Sequence, residues 1–330
     1  MNESVFKNIL DCRHLEQQSA NESYKIAAKL HLVDKDGSVI SYSRPNIKLD
    51  TLKPALDKDG TIGGASDTIH AETAVIMGAP VTDGGDLFVT DPLCPNCMKN
   101  TIESGIRNIF IDERGFEKKW YKNRQDYFDH ISLPMAELAG LCVYAVNPET
   151  QSINKISNAP PKQKVSQSHP IRLSSVSGNA RLHDFINDSR KTFTELPFAL
   201  AIGRDKSGRP ILIEACEDYP PGLNQDMTDI LDKMQHFNKG DKYRIKNDPV
   251  TRLMMAASRF GISLRGSHMY CSHLPSARCQ VNAVGYGLDN IEVGETQDSL
   301  KNGNLRAALQ AAMSLNQNRI LCFRFDKQDT

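Results

Sequence analysis

The sequence predicts an α/β fold made of two tandem three-layer domains, each with a mixed central sheet flanked by helices. Three observations lead to this prediction. Strand-like and helix-like segments alternate along the chain, which favours parallel pairing within a layered sheet. The same order of elements occurs twice. A polar segment separates the two occurrences, and 330 residues are enough for two domains of ordinary size.

Composition and charge limit the kind of protein this can be. Apolar residues make up 39% of the chain and charged residues 24%, which suits a folded core and argues against disorder. Basic and acidic residues number 40 each, so the formal net charge is zero. This balance argues against nucleic acid as a partner. Eight cysteines are too few for a disulfide-stapled secreted scaffold, so we expect reduced thiols or metal ligands.

No segment has the pattern of a targeting signal or a membrane span. Residues 1–18 mix acidic and amide side chains into what would have to be an apolar core of a signal peptide. The most apolar run, residues 135–146, has about half of the roughly 20 residues that a spanning helix needs. We therefore expect a soluble cytoplasmic protein without a membrane partner.

A polar segment divides the sequence. Residues 149–178 are rich in Ser, Pro, Gln and Lys and contain few large apolar side chains, so they predict a linker. Residues 1–148 and 179–330 then form the two domains. Each domain is predicted to open with a helical segment, at 15–28 in the first and at 180–193 in the second.

Each helical segment is followed by a predicted β-hairpin. In the first domain the turn is Lys35-Asp36-Gly37, and in the second it runs from Asp205 to Gly208. Apolar runs flank both turns, and glycine supplies the positive φ that such turns require.

The remaining elements also occur in pairs. An apolar helix and a strand–turn–helix–strand unit follow each hairpin, at 70–80 and 85–111 and again at 248–261 and 267–293. The two strand–turn–helix–strand units align without gaps at a constant offset of 182 residues, which places Cys97 on Cys279. Four elements matched in order indicate a tandem duplication.

The first domain contains a candidate metal site. His70-Ala71-Glu72 begins one helix, and Cys94 and Cys97 form a Cys-x-x-Cys pair at the start of the next. Two thiolates at a helix start and one imidazole from a neighbouring helix can converge on Zn²⁺. Three protein ligands leave the fourth position to water, as in catalytic zinc sites. Glu72 is then placed to act as the general acid and base.

Each part of this pattern has a simpler interpretation. A Cys-x-x-Cys pair alone is also typical of a redox pair or of half of a structural zinc knot. A single histidine at a helix start is often a surface or capping residue. A redox pair does not require His-Ala-Glu, and a knot requires a fourth protein ligand, so the joint pattern favours a catalytic zinc site.

At these residues the sequence resembles the zinc-dependent cytidine and deoxycytidylate deaminase superfamily, whose signature is His-Ala-Glu followed by Pro-Cys-x-x-Cys. The resemblance covers residues 20–145 and recurs in weakened form at 180–295. It implies a deaminase-like fold in each domain, zinc as the cofactor, and Glu72 as the residue that transfers protons.

The resemblance also implies where substrate would bind. The second hairpin strand of such enzymes runs into an asparagine that binds the sugar, which makes Asn46 a candidate, although asparagine is also a common turn residue. Ala71 is a second candidate substrate contact. One difference from the family is Leu93, which separates Pro92 from Cys94. This difference concerns the loop that lines the base pocket more than the binding of metal.

The second copy lacks the residues of the metal site. The residues at positions corresponding to His70, Ala71, Glu72, Cys94 and Cys97 are Asp248, Pro249, Val250, Ser276 and Cys279. Only the last keeps the identity of a ligand, so this copy should neither hold catalytic zinc nor deaminate. Such a pseudo-enzyme domain could complete the first domain as an intramolecular pseudo-dimer or bind a regulatory ligand, and a homo-oligomer stays open.

Together these patterns predict a zinc-dependent hydrolytic deaminase of a free cytidine-type nucleoside or nucleotide. It would convert cytosine to uracil and release ammonia at one active site in the N-terminal domain. Two alternatives stay open. The site could act on a purine base or on a base within RNA, or the chain could be a non-catalytic, zinc-stabilised nucleotide-binding protein.

Overall fold

The structure is a computed structural model that describes residues 2–21, 24–33, 37–158, 167–224, 245–295 and 303–325. Its strands are β1 (Ala27–Val33), β2 (Val39–Pro45), β3 (Ile47–Lys48), β4 (Thr61–Ile62), β5 (Ala65–Ser66), β6 (Thr68–Ile69), β7 (Asp86–Val89), β8 (Asn108–Asp112), β9 (Cys142–Asn147), β10 (Ser152–Lys155), β11 (Arg172–Ser175), β12 (Phe198–Arg204), β13 (Pro210–Cys216), β14 (His268–His273), β15 (Asn290–Glu295) and β16 (Cys322–Phe325). Its helices are α1 (Asn2–Glu16), α2 (Ala71–Gly78), α3 (Pro95–Glu103), α4 (Lys119–Lys122), α5 (Gln125–Tyr127), α6 (Leu133–Leu138), α7 (His183–Thr192), α8 (Pro249–Phe260), α9 (Ala277–Tyr286) and α10 (Gly303–Gln317). No helix within these residues combines the length and the apolar character needed to cross a bilayer.

The chain forms two compact units. Unit 1 consists of Met1–Lys48, Thr68–Ser168 and Tyr219–Ile245, and unit 2 consists of Leu49–Asp67, His169–Asp218 and Lys246–Thr330. Each unit therefore combines segments from both halves of the sequence. The domain boundaries placed at 148 and 179 from composition stay a prediction.

The sheet of unit 1 has the strand order β10-β9-β8-β7-β1-β2. The central strands β7, β8 and β9 are parallel. β1 runs antiparallel to β7 and to β2, and β10 runs antiparallel to β9. This is the mixed sheet that the sequence predicts, because helices connect the parallel strands whereas only five residues separate the antiparallel strands β1 and β2. Lys35 and Asp36 of the predicted turn lie outside the described residues, and Gly37 has φ +84°.

Helices cover both faces of this sheet. Leu87 and Val89 of β7 belong to a buried cluster that includes residues of α2, α3 and α6, while Phe88 belongs to a second cluster with α1. The alternation follows from the two-residue period of a strand. Layers of helix, sheet and helix result. Within the second cluster, Phe88 and Phe110 stack with ring centroids 4.8 Å apart.

The first helix is not where the sequence predicts it. A helical segment is expected at 15–28, whereas α1 spans Asn2–Glu16 and β1 begins at Ala27. Val5, Ile9 and Cys12 lie at helical spacing and bury one face of α1 against the sheet. The polar residues that follow α1 offer no comparable face, so the chain turns there and enters the sheet.

The sheet of unit 2 has the order β11-β13-β12-β14-β15-β16. Here β14, β15 and β16 are parallel, and β12 runs antiparallel to β13 and β14. The predicted turn at Asp205–Gly208 joins β12 to β13, with Gly208 at φ +78°. Helix α7 packs on one face beside a cluster that contains Phe198, Leu200 and Tyr270. Helix α8 packs on β12 and β13.

Five strands follow the same order and direction in both units. The order β2-β1-β7-β8-β9 of unit 1 corresponds to β13-β12-β14-β15-β16 of unit 2. The register corresponds as well, because β7 pairs Asp86 with Asn108 and β14 pairs His268 with Asn290. That the two units arose by tandem duplication remains an inference from the sequence.

The segment predicted as a linker, residues 149–178, contributes one strand to each sheet. β10 joins the edge of β9 and β11 joins the edge of β13. An edge strand needs backbone hydrogen bonds more than apolar side chains, which explains why a polar composition did not reveal these strands. Ile153 of β10 also packs against the cluster below α1. Residues 159–166 of this segment lie outside the described residues.

Candidate metal centre

Two helix starts meet at the site. β6 pairs with β3, and the chain then passes through His70 in an extended conformation before α2 begins at Ala71. β7 ends at Val89, and the chain reaches Cys94, which is extended and directly precedes α3. Cys97 lies in the first turn of α3. Both helices therefore direct their N-terminal ends, with the partial positive charge of the helix dipole, toward the same place.

The three predicted ligand atoms lie close together. His70 Nδ1 is 3.4 Å from Cys97 Sγ and 3.7 Å from Cys94 Sγ. All three atoms lie within 4.8 Å of one another, and among the described residues this is the one group of three that meets this criterion. Zinc–sulfur bonds of about 2.3 Å and a zinc–nitrogen bond of about 2.0 Å at the tetrahedral angle place N and S about 3.5 Å apart. The observed distances therefore fit a shared zinc ion.

The chemistry of the donors also fits zinc. Two thiols and one imidazole are the ligands that Zn²⁺ prefers over oxygen-rich sites. A hydrogen bond that the Cys97 thiol donates to Cys94, together with burial, raises the pKa of Cys97. Binding of a divalent cation displaces such thiol protons, so metal uptake at this site should release protons.

Glu72 supplies a carboxyl group beside these donors. Its side chain is 2% exposed, and its Oε2 has no hydrogen-bond partner among the described residues. Burial, followed by the nearby Cys94 thiol, raises the pKa of Glu72 to about 8. Buried carboxyl oxygens normally have partners, so this oxygen is available to a water molecule or a substrate. A pKa near neutrality suits a group that both takes and gives protons.

Asn46 lies between β2 and β3, and its side chain contacts the start of α2. Its role as a substrate contact stays a prediction. Its Oδ1 accepts a hydrogen bond from Ala71 N at 2.8 Å, and its Nδ2 donates to Tyr24 O at 2.8 Å. Asn46 is 3% exposed and follows β2, so it is not a turn residue. The side chain anchors the first amide of α2, and the same bond occupies the N–H of Ala71, the other predicted substrate contact.

A buried ion cluster holds the loop before Cys94. Asp91 is 2% exposed and pairs with Lys118, whose Nζ also donates to Glu16 Oε1 at 2.9 Å. Burial outweighs the attraction of Lys118 and raises the pKa of Asp91 to about 6. Sequence reasoning missed this cluster because its members are widely separated along the chain. The only signal was an acidic residue after an apolar strand.

Two further buried polar residues, also missed from the sequence, link α2 to α3. Asn100 Nδ2 donates to Thr73 Oγ1 at 3.1 Å, and Thr73 Oγ1 lies 3.7 Å from Cys97 Sγ. Thr73 is 2% exposed and Asn100 is fully buried. The one sequence signal was Thr73, a polar residue within the apolar run of α2, whereas Asn100 lies in a helix with several other polar residues.

Unit 2 has the corresponding arrangement with different residues. Asp248 directly precedes α8 and Ser276 directly precedes α9, as His70 and Cys94 precede α2 and α3. Asp248 Oδ1 accepts from Val250 N at 2.9 Å and lies 3.5 Å from Cys279 Sγ, and its Oδ2 accepts from Ser276 N at 3.3 Å. One carboxylate thus links the two helix starts by hydrogen bonds.

The fold and the donor set together define a class: an α/β protein with a His-Cys-Cys group of zinc-like spacing and a buried glutamate beyond the end of a central parallel strand. No family model matches the chain. The chain is 31% identical over 104 residues to the ComE operon protein 2 of Bacillus subtilis strain 168. The aligned segment covers 28% of this chain and 53% of that protein. The chain thus spans about half the length of this curated relative.

Three solved structures are also similar to part of the chain. The dCMP deaminase of the cyanophage S-TIM5 in apo form matches with 19% identity, 33% of this chain, 82% of that chain and a TM-score of 0.25. Its complex with dCMP and dUMP matches with 21% identity, 33% and 79% coverage and a TM-score of 0.25. A structure described under A-to-I editing by tRNA:A34 deaminases matches with 22% identity, 34% and 77% coverage and a TM-score of 0.21.

Proposed function

We propose that this chain is a zinc-dependent hydrolytic deaminase of a free cytidine-type nucleoside or nucleotide. The observation that carries the proposal is the joint geometry of the site. His70, Cys94 and Cys97 have the spacing of zinc ligands, and the buried carboxyl group of Glu72 lies beside them with one oxygen unpartnered. The resemblance of the same residues to the deaminase signature supports it.

His70 Nδ1 and the sulfurs of Cys94 and Cys97 would hold the metal. Three protein ligands leave one position open, and Zn²⁺ bound in this way acts as a Lewis acid that makes water a nucleophile near neutral pH. The first turns of α2 and α3 keep the three donors in place, because each ligand precedes a helix or lies in its first turn.

Glu72 would carry the protons. In the overall reaction a water oxygen forms a bond to C4 of cytosine, the C4–N bond to the amino group breaks, and uracil and ammonia result. Glu72 takes a proton from the attacking water and gives it to N3 of the ring. It then passes a second proton to the departing amino group. A pKa raised to about 8 by burial suits both directions of transfer.

The substrate would be a small molecule. The zero net charge of the chain offers no general attraction for a polyanion, and the site lies within unit 1, where the donors and Glu72 are largely buried. Asn46 would act at this site first by fixing the N-terminal end of α2 through its bond to Ala71 N.

Unit 2 would be a copy without this activity. At the positions of His70, Cys94 and Glu72 it has Asp248, Ser276 and Val250, so it offers neither the imidazole, nor the first thiol, nor the proton-transferring carboxyl group. The hydrogen bonds of Asp248 occupy the place where the donors of unit 1 converge.

The proposal is tested by metal analysis followed by an ammonia-release screen. The purified chain should contain one zinc per molecule and release ammonia from cytidine, deoxycytidine or their phosphates. Glu72→Gln should keep its zinc and lose about 10²–10⁴-fold in rate, the range that general acid–base catalysis contributes. Glu103→Gln is the matched control, because both glutamates are 2% exposed and Glu103 lies outside the donor group.

Other outcomes would contradict parts of the proposal. Ammonia release only from adenine, guanine or tRNA would replace the substrate class with one of the two deaminase alternatives. Zinc binding without ammonia release from any of these compounds would indicate a non-catalytic binding protein. Unchanged activity of Glu72→Gln would refute the assigned mechanism.

A further inference from the structure

A chain of hydrogen bonds approaches one predicted zinc ligand from behind. Asn100 on α3 contacts Thr73 on α2, and Thr73 contacts Cys97, which lies one turn before Asn100 on α3. All three residues are at most 2% exposed, so water does not compete for these contacts. Neither of these two side-chain contacts is part of the backbone hydrogen bonding of α2 or α3.

The direction of these bonds follows from the donors available. The amide nitrogen of Asn100 carries only donors, so Thr73 Oγ1 is the acceptor in the 3.1 Å bond between them. The hydroxyl group of Thr73 has a single proton, which is then directed to another acceptor. Cys97 Sγ, at 3.7 Å, lies within the range of hydrogen bonds to sulfur.

We propose that Thr73, oriented by Asn100, is a positioning residue that donates a hydrogen bond to the metal-ligating sulfur of Cys97. This inference rests on the proposed function, because it assigns Cys97 to a zinc ion. A hydrogen bond to a ligating thiolate stabilises its charge in a buried site and fixes the direction of the sulfur. Partners of metal ligands of this kind typically change metal affinity by about 10–100-fold when removed.

Unit 2 offers a matched contact without the other donors. Thr251, which corresponds to Thr73 on the second helix, lies 3.2 Å from Cys279 Sγ, and both residues are buried. Asn282, at the position of Asn100, is buried as well. Replacing Thr251 by valine therefore makes the same chemical change in a similar environment, where Asp248 and Ser276 stand at the positions of His70 and Cys94.

The test compares Thr73→Val, Thr73→Ser and Thr251→Val in the full chain. Zinc affinity is measured by competition with a chromophoric chelator, and the thiolate-to-metal charge-transfer band is measured after loading with Co²⁺. We expect Thr73→Val to bind zinc about tenfold more weakly and to shift the band to longer wavelength, because the sulfur lone pairs lose their stabilising donor. Thr73→Ser should restore both properties, and Thr251→Val should change neither.

A purely structural role gives a different result. In that case Thr73→Val and Thr251→Val lower the thermal stability to a similar extent, and both keep the wild-type zinc affinity and the wild-type band, which would overturn the proposal. If Thr73→Val fails to fold, Thr73→Ala removes the same donor and is measured in the same way. Failure of the wild-type chain to bind zinc would refute the proposed function itself, whereas wild-type binding with an unaltered Thr73→Val refutes only the role of Thr73.

Discussion

The carboxylate of Asp248 gives the most direct test of how unit 2 holds its two helix starts together. Its two oxygens accept hydrogen bonds from Val250 N and Ser276 N, and Cys279 Sγ lies 3.5 Å from one of them. Asp248→Ala removes all three contacts at once. The backbone conformation permits alanine, because Asp248 has φ −58° and ψ 138°.

The expected loss is about 2 kcal/mol in the free energy of unfolding of unit 2. Loss of the side-chain acceptor at the start of α8 costs about 1 kcal/mol. Leaving Ser276 N without its acceptor costs roughly another 1 kcal/mol. The weaker thiol contact adds to the loss, while relief from burying a carboxyl group, whose pKa is raised by that burial, offsets part of it. Asp248→Asn keeps one oxygen acceptor but presents its amide to Ser276 N, so its loss should be intermediate.

Hydrogen exchange read by mass spectrometry measures this effect in each unit separately. Peptides from α8 and α9 should exchange faster in Asp248→Ala, while peptides from α2 and α3 in the same sample serve as an internal reference. Asp205→Ala is a control, because Asp205 also accepts two backbone hydrogen bonds, from Ser207 N and Arg209 N, but in an exposed turn. Unchanged exchange in α8 and α9, or an acceleration no larger than that in Asp205→Ala, would contradict the role assigned to Asp248.

Three further predictions follow from described contacts. Asp248→His combined with Ser276→Cys should raise the zinc content from one to two ions per chain by elemental analysis; a content of one in a folded variant would contradict the correspondence of the two sites. Gly222 has φ +87°, and an added Cβ would overlap Leu138 O. Gly222→Ala should therefore lower the free energy of unfolding in urea by about 2–4 kcal/mol. Gly208→Ala, where φ is +78° and the space is open, should lower it by about 1 kcal/mol. Burial raises the pKa of Asp91 from 3.8 to about 6, so between these pH values the folded state binds a proton that the unfolded state has lost. The free energy of unfolding of the wild type should therefore fall relative to that of Asp91→Asn as the pH rises from 4 to 6, and the difference should stay level above pH 6. Equal pH profiles of the two proteins would contradict the shift.

The elements around the site could be predicted from local patterns. His70 and Cys94 each directly precede a helix, and Cys97 lies one turn into the second helix, so spacing alone places each donor at a helix start. β7 and β8 are continuous apolar runs, which is typical of strands buried on both faces. The convergence of the three donor atoms within 4.8 Å is a tertiary fact that the sequence only suggested through the joint occurrence of the motifs.

Contacts between distant residues could not be predicted in this way. The candidate role of Asn46 as a substrate contact stays a prediction, but the hydrogen bond that its Oδ1 accepts from Ala71 N, 25 residues further along the chain, was not predicted. No local pattern specifies such a partner, because a side-chain amide and a backbone N–H occur throughout the chain and the pairing of β3 with β6 brings these two together. The strands β10 and β11 were missed for a related reason, since pairing at a sheet edge depends on the backbone of a neighbour rather than on composition.

Each unit is built from segments of both halves of the sequence, which has a consequence for synthesis on the ribosome. The core of unit 1 includes Leu223, and Tyr219 and Ile245 pack against that core. Unit 2 includes Leu49–Asp67 from the first half of the sequence, and Ser314 Oγ donates a hydrogen bond to Ala55 O of this segment at 2.7 Å. Neither core can close until residues from the other half of the sequence have emerged. The nascent chain therefore carries the complete set of strands of the first sheet but an incomplete core beside it while the strands of the second sheet are made. A gene cut in the middle would yield two fragments that each lack a part of their own core.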